Sequence, residues 1–133
     1  MSIVSVDRHR STVLLISLLA FLPASCQFRL NEHLKGAKLD RAFKKLFETE
    51  KDLSDWFGDH FEFDPLHMNF CEEMRICLNV QAQIDLLVHK DSRDRIFIDI
   101  SKTEAVRLCS RYGVTIHMLR KSAAELNRIL NTE

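Results

Sequence analysis

The segment IDLLVHKDSRDRIFIDISK, residues 84–102, sets carboxylates on two apolar runs that flank a charged turn. Asp85 sits near the start of the first run, Asp99 near the end of the second, and Lys102 just beyond. Carboxylate oxygens are the donors that hard divalent cations such as Mg2+ and Mn2+ take. A metal held there would lower the pKa of bound water and offset charge at phosphorus. The same spacing has a plainer origin, because an acid on the polar side of each hairpin arm is simply solvated. The six histidines, His9, His33, His60, His67, His89 and His117, show no HxH or HxxxH spacing. His60 and His67 flank an acidic loop containing Asp59, Glu62 and Asp64, where a metal competes with ordinary surface exposure. No GxSxG, glycine-rich phosphate loop or CxxC is present.

Cysteine chemistry leaves two readings. On a continuous helix Cys71 and Cys77 would lie about 9 Å apart along the axis and about 120° apart around it. A disulfide needs Cα atoms within about 7 Å, so an unbroken helix forbids that pair. In an oxidising compartment Cys77–Cys109, or Cys71–Cys109, is the bridge to expect, contributing roughly 3–4 kcal/mol on the loop-entropy model. Otherwise the thiols are reduced, buried and act as small apolar residues.

The elements that must position these residues follow from periodicity. From residue 31 to 61 Leu39, Phe43, Leu46, Leu53, Phe57 and Phe61 recur at helical spacing, with Lys38, Arg41, Lys44, Lys45 and Glu48 opposite. Gly36 or Gly58 is the expected break, and Trp56 is expected in the core. The segment Lys35–Lys51 is amphipathic and basic, suited first to core packing and second to a membrane or partner helix. Asp64-Pro65 predicts the start of a second helix running to about Leu78. Val80, Ala82, Ile84, Leu86 and Val88 then alternate with Gln81, Gln83, Asp85, Leu87 and His89, which is strand period. The expected class is therefore α+β: N-terminal helices, a β-hairpin at about 80–88 and 95–100, and C-terminal helices. Ser101 with Glu104 forms a capping box for a helix over Lys102–Tyr112, which Gly113 ends. Residues 114–119 read either as a third strand or as the opening of a helix, and Arg120–Leu130 as helix.

With 114–119 extended, the order of elements and the run IDLLV…RIFIDISK resemble the core of the PD-(D/E)xK nuclease superfamily over roughly residues 66–130. The resemblance implies Asp85 and Asp99 as ligands of Mg2+ or Mn2+, Lys102 as the partner that activates water, and Glu73 or Glu72 as an added helix ligand. Three residues depart from the family pattern. Ser101 stands where its lysine belongs, Lys102 lies one place further, and Ile84 replaces the proline before the first acid. With 114–119 helical, Leu108, Cys109, Tyr112, Gly113, Val114 and Leu119 are similar to a helix-turn-helix. Thr115 then caps the second helix, and Arg120 and Lys121 are set to meet DNA phosphates.

Composition weighs against both. Nineteen Lys and Arg balance nineteen Asp and Glu, so the basic excess usual in nucleic-acid binders is missing. A chain of 133 residues with 46% apolar content can build one packed domain. Its first 26 residues read as a secretory signal peptide: Arg8, His9 and Arg10, then uncharged STVLLISLLAFLPASC with small residues at Ala24, Ser25 and Cys26. The apolar stretch is shorter than the about 20 residues that span a bilayer. An uncleaved membrane anchor, a buried N-terminal helix, and retention with acylation of Cys26 are the alternatives. The expectation is a leader at 1–26 and a single α+β domain at 27–133, secreted or exported. Its function would be contact with another protein, without catalysis or cofactor. A metal-dependent phosphodiesterase and a DNA-binding module stand as alternatives.

Overall fold

The computed structural model describes residues 3–57, 61–84, 88–90 and 96–132. Its helices are α1 (Ile3–Ala20), α2 (Ala24–Phe28), α3 (Leu30–Leu34), α4 (Lys38–Thr49), α5 (Lys51–Phe57), α6 (Glu72–Ile84), α7 (Lys102–Ser110) and α8 (Ile116–Thr132). Short 3-10 turns cover Lys35–Ala37 and Pro65–His67.

Helix α1 is the axis of the molecule. Thr12 to Ala20 carry no charge, and every residue from Ser11 to Ala20 is at most 5% exposed. A helix that is apolar all round has no face to give to water and has to be enclosed. Helices α5, α6, α7 and α8 pack around it. Of its polar members, Ser11 donates through Oγ to the Phe57 carbonyl at 2.7 Å. Where α1 stops, Gln27 Nε2 donates to the carbonyls of Ala20 at 3.0 Å and Leu22 at 2.8 Å. Those are end-of-helix acceptors that the helix itself leaves unpaired. The segment with the composition of a leader is thus the centre of this globule. No helix among the described residues is long and apolar enough to cross a membrane.

Of the 31–61 region, residues 31–57 are helical with two breaks. Gly36 (φ 62°) and Ala37 (φ 56°) are both left-handed, so the chain turns before α4. Gly36 is suited to this, and Ala37 is held there by burial at 7% exposure. The second break is at Glu50 (φ −109°, ψ 80°); Gly58 lies outside the described residues. Leu39, Ala42, Phe43 and Leu46 of α4 face the core. Phe43, Phe47, Phe57, Phe61 and Phe63 form one aromatic cluster, with linked centroids 4.9–6.4 Å apart. Trp56 is half-buried against the core.

The α+β expectation is overturned, because the fold is helical. Residues 80–84, expected in a strand, are the last turns of α6. Once α6 is nucleated, each added residue gains an intrahelical bond, whereas a strand there needs a partner along its whole length. Among the described residues, extended pairing is that of β1 (Val88–Lys90) with β2 (Ile96–Ile98), antiparallel with Val88 opposite Ile98, and one isolated bridge between Asp64 and Phe70. Three residues a strand make no sheet layer. At 114–119, which read as either strand or helix, the chain is helical from Ile116. Val114 and Thr115 lead into α8, with Thr115 Oγ1 accepting from Met118 N at 3.2 Å. Leu119, Ala123, Leu126 and Leu130 of α8 keep helical spacing and are buried. The helix expected from Asp64-Pro65 to Leu78 is two pieces, a 3-10 turn at Pro65–His67 and α6 from Glu72. The Ser101 half of the capping box is present: Ser101 Oγ accepts from Glu104 N at 3.1 Å, the Glu104 carboxylate takes Arg107, and Gly113 (φ 77°) follows α7.

Candidate docking surface at residues 61–76

Among the described residues, those singled out for metal chemistry are not brought together. Asp85 lies outside the described residues. Asp99 is exposed just beyond β2, and Lys102 is exposed at the start of α7 with its ammonium 5.7 Å from the Phe21 ring centroid. Glu73 faces inward on α6 at 7% exposure, with the Cys77 thiol 4.0 Å from its carboxylate. Among the described residues no three His, Cys, Asp or Glu side chains are placed to hold a metal ion. Asp59 and His60 lie outside the described residues, and His67 is hydrogen-bonded to Asp64. Arg120 and Lys121 are exposed on α8, and Lys121 approaches Glu50 at 3.6 Å.

Cys26, Cys71, Cys77 and Cys109 are free thiols and all are buried. Burial pushes the Cys71 thiol up to about 12 and also raises those of Cys26 and Cys109. These groups hold their protons and behave as apolar fillers.

What the chain does assemble is the loop between α5 and α6. Asp64 organises it. Its Oδ1 accepts from Leu66 N at 3.0 Å and its Oδ2 lies 2.6 Å from His67 Nδ1. Its carbonyl accepts from His67 N at 3.1 Å and Asn69 N at 2.7 Å. Its own N–H donates to the Phe70 carbonyl at 3.0 Å, which closes the loop. Pro65 presets the first turn, and Met68 (φ 58°) and Asn69 (φ 63°) are consecutive left-handed residues that reverse the chain. The bond to His67, then that from Leu66, holds the Asp64 carboxyl below the usual value of 3.8.

This closed loop turns apolar side chains outward. Leu66 is 88% exposed, Met68 58% and Phe70 37%. Burying a leucine or methionine side chain is ordinarily worth about 1.5–3 kcal/mol, which the isolated chain forgoes at Leu66. Beside the loop is a cavity of about 330 Å³ lined by Glu62, Asp64, Phe70, Glu72, Glu73 and Ile76. Four of those six are acidic. The nearby cation, Arg75, is engaged elsewhere. It donates to Asp40 Oδ1 at 2.6 Å and to the Leu34 carbonyl at 3.0 Å, with its guanidinium 5.1 Å from the Phe70 ring centroid. Asp40 is fully buried, and its Oδ2 accepts from Cys71 N at 2.6 Å. That carboxylate fastens the end of the loop to α4. Sequence reasoning missed Asp40, although an acid between Leu39 and Phe43 on an apolar stripe is the signal of a buried, paired charge.

Comparison of the chain with protein-family models, curated protein sequences and solved structures returns no match. The class the fold and site define is a small helical protein with a preorganised acidic and apolar surface.

Proposed function

We propose that this protein is a docking module that takes a basic, amphipathic segment of another protein on its 61–76 surface. The observation that carries the reading is a loop closed by the hydrogen bonds of Asp64, presenting Leu66 and Met68 beside a cavity lined by four carboxylates. Apolar side chains held out in a closed loop are ordered before the partner arrives, so little conformational entropy remains to be lost on binding. The carboxylates select Lys or Arg flanking the partner's apolar residues and steer its approach. Function, on this reading, is contact.

A fluorescein-labelled helical peptide of alternating Leu and Lys faces tests this, with a Leu and Glu analogue as control. Binding to the Leu-Lys peptide is expected to weaken about tenfold or more on Leu66→Ser, the loss of a buried apolar anchor. Paired Glu62→Gln and Glu72→Gln should weaken it further and flatten its salt dependence. Equal binding of both peptides, or no effect of Leu66→Ser, would refute the reading.

The compartment is a separate matter, decided by whether residues 13–22 leave or stay. We read them as staying, since they are α1. Intact mass of the protein recovered from its producing cells distinguishes the two: close to the full-chain 15.5 kDa if α1 stays, a chain beginning near Gln27 if it is an export leader.

A further inference from the structure

A second cavity, of about 110 Å³, lies where α2 and α3 meet the last turns of α8. Cys26, Arg29, His33, Asn127 and Asn131 line it. His33 is only 3% exposed, yet its Nδ1 has no hydrogen-bond partner. A buried ring nitrogen left unpaired is unfavourable, and a ligand that pairs it recovers that loss.

The field in the cavity is positive. Arg29 and Lys38 both favour the charged form of the Cys26 thiol, against a larger opposing effect of burial. The same two cations, after burial, press the His33 imidazole toward neutrality, and Glu32 opposes them. Glu32 engages Arg29 through Nε alone at 3.2 Å, on the exposed side, which leaves the rest of the guanidinium fork. Asn131 Nδ2 donates to Asn127 Oδ1 at 3.2 Å, so the two amides are held together at the wall. Pro23, Ser25, Arg29 and Asn131 are exposed, so the cavity opens to solvent. The space is large enough for a tetrahedral oxyanion.

We infer that this cavity binds a phosphate-sized oxyanion, held by the Arg29 guanidinium and by His33 donating from Nδ1, with the Asn127 and Asn131 amides beside it. Bound charge of this sign favours the imidazolium form of His33 against the cations that suppress it.

The full chain is titrated with inorganic phosphate against sodium chloride of matched ionic strength, by calorimetry and by the ¹⁵N shifts of the His33 ring. Glycerol 3-phosphate is run in parallel, the first probe standing for a free ion and the second for phosphate carried on a larger molecule. Saturable binding that moves the His33 ring is expected. Arg29→Gln should weaken it about tenfold, what the loss of one charge-assisted hydrogen bond gives. Because His33→Gln alters a buried position, Asn131→Asp serves as a second variant. It changes an exposed residue, places a negative charge at the mouth and should abolish binding. Arg111→Gln, on the exposed turn after α7, should leave binding unchanged. Tighter binding of the ester would identify phosphate on a larger molecule as the ligand. Tighter binding of the free ion would identify the ion. Non-saturable uptake, equal binding by Arg29→Gln and the unaltered chain, or equal loss in Arg111→Gln would overturn the site and leave the cavity to water.

Discussion

Asp40 shows how one residue can fasten two distant segments. Its carboxylate is fully buried and takes both the Arg75 guanidinium and the Cys71 N–H, each at 2.6 Å. Asp40→Ala leaves Arg75 uncompensated and the loop end loose, so urea unfolding should show a loss of roughly 3 kcal/mol. Asp64 acts on a smaller scale, at the surface. Its carboxyl is held below the ordinary value of 3.8, so the order it gives the loop is complete above that value and is lost as pH falls through the lower, folded value. Hydrogen exchange at the Leu66 amide, followed from about pH 6 to about pH 2, should show protection vanishing only at the acid end. The cysteines make a third expectation. With Cys71 pushed up to about 12 and all four thiols buried, Ellman's reagent should label the native chain negligibly and the unfolded chain fully. Of these residues only Asp64 was legible as a cap. Asp40 and Arg75 are 35 positions apart, and no local pattern couples them. The alternation that carries Asp85 belongs, over Val80–Ile84, to a helix, whereas Asp99 directly follows the strand β2.

Elements with local signals were read well, and elements that depend on context were not. The Ser101–Glu104 box and Gly113 bound α7 as expected, because cap chemistry is contained within a few residues. Ser101→Ala should cost about 1 kcal/mol in thermal or urea unfolding. Val80 to Ile84 alternate as a strand does, yet α6 is already running and simply continues through them. Residues 114–119 fit either period, and the buried stripe from Leu119 to Leu130 decides for helix. The acidic surface was half legible. Glu62 and Asp64 read as an acidic loop, but the outward turn of Leu66 and Met68 rests on left-handed backbone at Met68 and Asn69, for which asparagine is a weak cue and methionine none.

At the scale of the whole molecule everything depends on where residues 11–20 sit. A stretch of some ten apolar residues has the length of a leader's apolar region and of a buried core helix alike, and charge before it with small residues after it suits the first. Periodicity cannot choose, since a helix enclosed on all sides has no polar face to reveal it. Its packing supports the enclosed reading: α5, α6, α7 and α8 meet around α1, and a chain without α1 would expose the apolar faces of all four. Single truncations inside it, such as Leu15→Ala or Leu18→Ala, should each cost about 2–5 kcal/mol. The most direct measurement is native-state amide hydrogen exchange on the purified full chain. Amides from Val13 to Ala20 should be among the slowest in the protein, opening only with global unfolding. Exchange of those amides at the rate of an unstructured peptide, while α4 and α8 remain protected, would contradict the fold and return the segment to the role of a detachable leader.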